Sequence, residues 1–296
     1  MCSDNPIFLG SEIESCPMNK AAFSVLPVPF EKSVSYAGGT GQGPAAILEA
    51  SSQLETWDGK SNPCEEGIHT CNPVDCDTPD SEVIERIAAA VEKITRTGSM
   101  PVVLGGEHTV TYGNIKGLLN AGIKDFGVVQ IDAHADLREA YEGNPLSHAS
   151  VIKRVLDAGI SVYQLGIRAL CNEEIEVRKK CGIQYQDAEQ LVPANIQSIE
   201  LPEDFPPNVF FTLDIDGMDP SVFPSTGTPV PGGLGWYQTL NLFESVARQR
   251  KIIGFDVVEH SPIKGFHAYD FSASLLVYKL MGIVQRNRIK TARPME

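Results

Sequence analysis

Apolar residues recur along the chain in two alternating patterns. Short runs rich in Val, Ile, Leu and Phe predict strands at Ala22–Val28, Pro101–Leu104, Phe126–Ile131, Ser161–Ile167, Val209–Leu213 and Ile252–Val258. Between them lie stretches whose apolar residues return every three or four positions. These predict helices at Ala45–Ser52, Thr109–Asn120, Ala149–Ala158, Glu173–Cys181, Trp236–Arg250 and Asp270–Gln285. A further helix opens at Pro79-Asp80-Ser81-Glu82 and carries Val83, Ile84, Ile87, Ala88, Val91 and Ile94 on one face. Residues 1–20 read as an irregular N-terminal arm and Leu54–Thr78 as irregular chain. Regular alternation of strand and helix predicts an α/β protein, a doubly wound and mostly parallel sheet with helices on both faces. Periodicity alone also admits a closed barrel. With no internal repeat and no low-complexity linker, residues 1–296 are expected to form a single domain.

Composition narrows the class. At 42% hydrophobic and 21% charged residues the chain has ample material for a core. No stretch approaches the ~20 apolar residues of a membrane span. The start, Met1-Cys2-Ser3-Asp4-Asn5-Pro6, lacks the basic-then-apolar pattern of a signal peptide, so a cytoplasmic location is expected. A net charge of −14 argues against nucleic acid or an anionic membrane as partner and is weakly compatible with a cationic small molecule. Seven cysteines, an odd number, argue against a disulfide framework. Cys64, Cys71 and Cys76 cluster, but at spacings that match no common zinc pattern. The glycine-rich loop Tyr36–Pro44 lacks the Lys-Ser/Thr of a phosphate loop, and Pro44 suits the first turn of the next helix.

The polar residues that matter stand where strands end. Phe126–Ile131 leads into Asp132-Ala133-His134-Ala135-Asp136, with metal-ligand types at alternate positions that face one side of an extended backbone. Alone, such a motif is as readily a polar loop as a site. Val209–Leu213, however, leads into Asp214-Ile215-Asp216-Gly217-Met218-Asp219-Pro220, and Val102-Val103-Leu104 into Gly105-Gly106-Glu107-His108. Three strands thus deliver carboxylates or imidazoles at their carboxyl ends, where sites form in α/β sheets.

These three motifs, in this order, resemble the signatures of the ureohydrolases, the arginase and agmatinase family of dinuclear manganese enzymes, from about Gly38 to the last helix. The resemblance implies the open arginase-like three-layer sheet and two Mn²⁺ per chain. It implies His108 and Asp136 on one ion, His134 and Asp216 on the other, and Asp132 and Asp214 bridging. An oxygen-rich set with two imidazoles and no thiolate suits Mn²⁺, and four carboxylates offset the charge of two divalent cations. Such a pair, ~3.5–4 Å apart, activates a water for attack on the poorly electrophilic guanidinium carbon. By the same resemblance His148 shuttles the proton, Asp136 belongs to the catalytic set, and Glu259 binds the guanidinium as a planar partner. A homotrimer or homohexamer is also implied. Glu107 departs from the commoner Asp of the first motif and is placed no closer than behind the ligands. Gly227 and Thr228 are expected to shape the pocket and Asp219 to form a turn, while His260 and His267 have no assigned role.

Within the family, arginases clamp an α-amino acid with a Ser/Asn loop and with an Asp after a Gly-x-Arg strand end. Here the loop is Leu137–Ser147, and Gly166-Ile167-Arg168 is followed by Ala169-Leu170. The clamp is not recognisable. The resemblance therefore implies agmatine plus water giving putrescine plus urea, with aminopropylagmatine, guanidinobutyrate or arginine as other substrates. A one-metal deacetylase of the same fold is the remaining alternative, in which His108, Asp136 and Asp216 would be superfluous.

Overall fold

The computed structural model describes residues 6–14 and 16–291. Its strands are β1 (Phe23–Val28), β2 (Ile68–Thr70), β3 (Met100–Gly105), β4 (Phe126–Ile131), β5 (Ser161–Leu165), β6 (Gln184–Gln186), β7 (Asn208–Asp214) and β8 (Lys251–Val258). The helices are α1 (Gly43–Ser51), α2 (Asp80–Arg96), α3 (Val110–Asn120), α4 (Val151–Asp157), α5 (Asn172–Cys181), α6 (Ala188–Leu191), α7 (Trp236–Gln249) and α8 (Ala268–Thr291). All eight strands pair in parallel in the order β2-β1-β3-β8-β7-β4-β5-β6, an open sheet and not a barrel.

Period-two alternation sorts the strand side chains into two cores. Val25, Val102, Val129, Phe211 and Phe255 face one apolar layer, shared with Ile47 of α1, Phe243 of α7 and Leu276 of α8. Leu26, Val103, Val128 and Phe210 face the other, with Ile87 of α2, Ile115 of α3 and Val155 of α4. All six apolar residues expected on one face of α2 are buried there. Its acidic first turn (Asp80, Glu82) and basic last turn (Lys93, Arg96) complement the helix dipole.

Three stretches differ from expectation. The supposedly irregular Leu54–Thr78 contains β2, which adds to the sheet by pairing Ile68 with Phe23. At the opposite edge β6 is polar and half exposed, so no hydrophobic alternation announces it. The N-terminal arm is partly built in, although residues 1–5 and 15 lie outside the described residues. Phe8 and Leu9 are fully buried, and their amides donate to Thr70 Oγ1 and Ser51 Oγ, both at 3.0 Å.

The strand order positions the site. After β3 the chain steps across two vacant places to β4, runs outward to β6, and returns to fill the gap with β7 and β8. That reversal opens a crevice at the carboxyl ends of β3, β8, β7 and β4.

Candidate metal centre and active site

Close backbone approach lets the motifs meet. A Cβ on Gly106 would stand 2.0 Å from the Phe30 carbonyl oxygen, and one on Gly217 would stand 2.7 Å from the Asp132 nitrogen. Only glycine fits either place. Asp136 and Glu259 hold left-handed backbone, φ 53° and 62°, uncommon for residues with a side chain. For Asp136 the reason is visible, because its carbonyl accepts the Ile152 and Lys153 amides, both at 3.1 Å, at the start of α4. Such strain is stored where the surroundings hold it and clusters at functional sites.

Six side chains converge at the strand ends. His108 Nδ1 lies 3.1 Å from Asp132 Oδ2, 3.0 Å from Asp136 Oδ2 and 3.2 Å from Asp214 Oδ2. His134 Nδ1 lies 3.0 Å from Asp216 Oδ2 and 3.6 Å from Asp132 Oδ1. Two groups can each hold an ion, His108-Asp132-Asp136 and Asp132-His134-Asp216, and Asp132 belongs to both. His108 Nδ1 is buried and makes no hydrogen bond despite three oxygens around it. An imidazole nitrogen ringed by carboxylate oxygens becomes a ligand arrangement once its proton is displaced, so these residues fit divalent cations.

The electrostatics agree. Burial opposes a charge on either histidine, but the carboxylates outweigh it. Asp132, Asp136 and Asp214 hold His108 well above the usual imidazole range, while Asp132 and Asp216 push His134 up to about 12. Burial, reinforced by the neighbouring carboxylates, raises Asp136 to about 7 and Asp214 well above its ordinary value. Burial also acts to raise Asp132, yet the two histidines win and hold it below the carboxylate range. Without cations this cluster keeps protons it would otherwise lose.

Around it lie Ser33, Ser35 and Thr212, which sequence reasoning missed, together with Glu107 and Glu259, which it named. Ser33 and Ser35 hold His148, with Ser33 Oγ 3.1 Å from its Nδ1 and Ser35 Oγ 2.7 Å from its Nε2. Glu107, fully buried, accepts the Lys32 and Ser33 amides at 2.7 Å and the Ser33 and Thr109 hydroxyls at the same distance. It organises the His148 loop and does not join the cluster. Thr212 Oγ1 lies 2.9 Å from His108 Nε2, fixing the ring from behind. Glu259 Oε1 accepts the His108 amide at 2.7 Å, and burial, then Glu107, raises its carboxyl well above its ordinary range.

A cavity of about 500 Å³ opens onto His134, Asp136 and His148 and is lined also by Arg138, Tyr141 and Glu174. Another of about 490 Å³, beside Arg178 and Tyr185, contains none of the six converging residues and is not the reaction site. Arg168 is spent on structure, donating to the carbonyls of Gly166, Asp216, Gly217, Met218 and Val230. Asp219 accepts the Ser221, Gly232 and Gly233 amides, the turn role expected of it. Thr228 lines the cavity and donates to Asp216 Oδ2 at 3.3 Å, and Gly227 leaves no room for a Cβ beside the Ala37 carbonyl. His260 is buried against Asp270 Oδ1 at 2.8 Å, and His267 is exposed before α8. Cys64, Cys71 and Cys76 are free thiols, and burial pushes Cys71 and Cys76 up to about 11. Among the described residues no helix is long and apolar enough to cross a membrane.

The arginase family model matches residues 21–282, most of the chain and all of the converging residues. The chain belongs to the arginase family. An N(1)-aminopropylagmatine ureohydrolase from Synechocystis is 39% identical over 280 residues, covering 88% of this chain and 89% of that protein. An agmatinase from Pyrococcus horikoshii is 30% identical over 281 residues, covering 93% and 96%. Among solved structures, an agmatine ureohydrolase of Thermoplasma volcanium superposes with a TM-score of 0.82 at 26% identity, covering 94% of both chains. The arginase-like fold and the class implied by the three motifs, a hydrolase of amidino C–N bonds, both stand.

Proposed function

We propose that this arginase-family ureohydrolase releases urea from a linear guanidine with a cationic tail, N(1)-aminopropylagmatine first and agmatine second, using two Mn²⁺ ions. The observation that carries the reading is the pair of ligand groups sharing Asp132, one of which places Asp136 and the other His134 on the wall of a cavity that also exposes His148. His108 and Asp136 would hold one ion, His134 and Asp216 the other, with Asp132 and Asp214 between them. When bound, such a pair supplies a water activated as nucleophile at neutral pH. Glu259 is assigned to the guanidinium, whose planar N–H groups match a carboxylate. His148 is assigned to the proton that must reach the departing amine. Agmatine was the first expectation from sequence. Aminopropylagmatine is placed first because relatives at 39% and 37% identity are named for it, whereas agmatinases from Pyrococcus horikoshii and Bacillus anthracis are at 30% and 33%.

The tail decides substrate choice. Arginine would bring a carboxylate into a cavity lined by Asp136 and Glu174, where, apart from the two histidines already assigned, Arg138 is the one basic side chain among the described lining residues. Arg138 already lies over the Tyr141 ring, 5.9 Å from its centroid. An unpaired, partly desolvated carboxylate costs on the order of 1–3 kcal/mol. The expected kcat/KM for agmatine therefore exceeds that for arginine by at least about tenfold, the ratio for ~1.4 kcal/mol. Aminopropylagmatine is expected to match or exceed agmatine. Urea assays with the three compounds at saturating Mn²⁺ decide it: arginine turned over as well as the amines refutes the tail argument, and no urea from any of them refutes the substrate class.

Metal uptake has a predicted pH dependence. The metal-free histidines, held above the ordinary ~6.5, carry protons at neutral pH. Their stabilising contribution to the metal-free fold is present below ~6.5 and is lost as pH rises through the raised values. Mn²⁺ must displace those protons, so its affinity should climb with pH and binding should release protons. Calorimetric titrations in buffers of different ionisation heat read this directly, and uptake without proton release would contradict the ligand assignment.

A further inference from the structure

On the α2–α4 side of the sheet, one residue layer below the ligands, four polar side chains stand in a row. Gln164 of β5 is in register with Gln130 of β4, Gln130 with Thr212 of β7, and Thr212 with Asp256 of β8. All four are fully buried, where apolar residues are the rule. Thr212 backs His108, and the glutamines lead to Asp132. Gln130 Nε2 lies 2.7 Å from Asp132 Oδ2, Gln164 Nε2 lies 2.7 Å from Gln130 Oε1, and Arg178 Nε lies 2.7 Å from Gln164 Oε1.

The direction of this chain is forced. A guanidinium has donors only, so the Gln164 oxygen must face Arg178. The Gln164 amide nitrogen then faces the Gln130 oxygen and also donates to the Ala135 carbonyl at 2.8 Å. That leaves Gln130 one orientation, with its N–H groups toward Asp132, an acceptor when ionised. Arg178 is itself anchored by paired bonds to Asp187 Oδ1 and Oδ2, both at 3.0 Å, and packs on the Tyr185 ring.

We propose that Gln130 is a positioning residue for the metal centre, locked in one amide orientation by Gln164 and Arg178 so that it fixes the plane of the Asp132 carboxylate. The inference rests on Asp132 serving as the shared ligand. Its Oδ1 accepts the His134 amide at 2.6 Å and lies toward His134 Nδ1, while Oδ2 accepts from Gln130 and lies toward His108 Nδ1. Pinned at both oxygens, the carboxylate cannot turn away from either ligand group. A carboxylate shared by two ions needs this.

The test uses metal-stripped full-length protein titrated with MnCl₂ by calorimetry, alongside thermal unfolding of each metal-free form. Gln130→Met keeps length and removes the donor. Gln164→Met touches no ligand and frees Gln130 to turn. Gln130→Met should weaken Mn²⁺ binding by ~10–100-fold, the usual range for partners behind metal ligands, and Gln164→Met by about tenfold. The double variant should bind within about twofold of Gln130→Met, because the two residues act as one unit. Losses that multiply in the double variant, or folded variants binding Mn²⁺ within about twofold of the parent, overturn the proposal. Should Gln130→Met fail to fold, Gln164→Met decides by itself. A parent that takes up no Mn²⁺ overturns the metal assignment, and this inference falls with it, whereas a parent binding two ions with unaffected variants overturns this inference alone.

Discussion

Replacing Asp132 or Asp214 by Asn is expected to abolish urea release and to weaken Mn²⁺ binding by more than ~10²-fold, beyond the range of changes behind the ligands. The two variants should nevertheless differ in the stability of their metal-free forms. Asp214 is raised by burial and then by Asp216 and Asp132, so its folded value lies above its unfolded one. Such a group favours the fold only below the unfolded pKa, ~3.9, and at neutral pH it is a liability. Asp214→Asn removes that liability and keeps an oxygen to accept the Asp216 amide, now 2.9 Å from Asp214 Oδ1. Its metal-free Tm at neutral pH should be no lower than the parent's. Asp132 is the opposite case. Burial raises it, but His108 and His134 lower it further, so its contribution is present above ~3.9 and lost in acid. Asp132→Asn should therefore lower the metal-free Tm, and in either amide orientation its NH2 group would face a donor, Gln130 Nε2 or the His134 backbone amide. Elemental analysis, urea assay and calorimetry of stripped protein check all three outcomes. Two tightly held ions with near-normal turnover in either variant would remove that residue from the bridging role.

What the sequence made legible follows from range. The apolar run Phe126–Ile131 and the apolar face of α2 are set by neighbours within a few positions and stand as expected. Left-handed backbone at Asp136, by contrast, breaks the extended stretch on which Asp132, His134 and Asp136 would share one side, and Asp136 and His134 fall in different ligand groups. The adjacency of β3, β8, β7 and β4 is not local, because it depends on where a returning chain finds room in the sheet. Ser33 and Ser35 gave no signal, since they reach His148 across 115 and 113 residues of chain. Gln130 gave a partial one, as a buried strand rarely carries a glutamine without a partner. Its partners Gln164 and Arg178 lie in other elements and could not be paired with it from sequence. Arg168 misleads in the opposite sense, standing near the site by motif while its guanidinium is occupied with backbone carbonyls. The first two strands to be overlooked, β2 and β6, are the sheet edges, too short for a period to show.

His148→Ala is expected to lower kcat by ~10²–10⁴-fold, the range for a lost proton-transfer group, with Mn²⁺ content unchanged. The ring is held between Ser33 and Ser35 and meets the Tyr141 ring edge-on, with centroids 5.5 Å apart. Burial lowers its pKa more than Glu107 raises it, so at neutral pH the imidazole is uncharged and has one nitrogen free to accept. Because the Ser33 hydroxyl donates to Glu107 Oε1 at 2.7 Å, Nδ1 is the donor to Ser33 Oγ at 3.1 Å, and the nitrogen that takes up a proton is Nε2, beside Ser35 Oγ. The new charge is then connected to a carboxylate through a single hydroxyl, which keeps the protonated ring within reach as a transient donor to the leaving amine. A purely structural histidine would give a different pattern. Losing its contacts should cost on the order of 1–2 kcal/mol of stability, too little to unfold a domain of this size. The pH profile separates the two roles. As pH falls through the His148 value, which lies below ~6.5, the ring fills with a proton in advance and activity should drop. That acid limb should be present in the parent and absent in His148→Ala, and a variant whose kcat matches the parent across the whole profile would return His148 to a surface role.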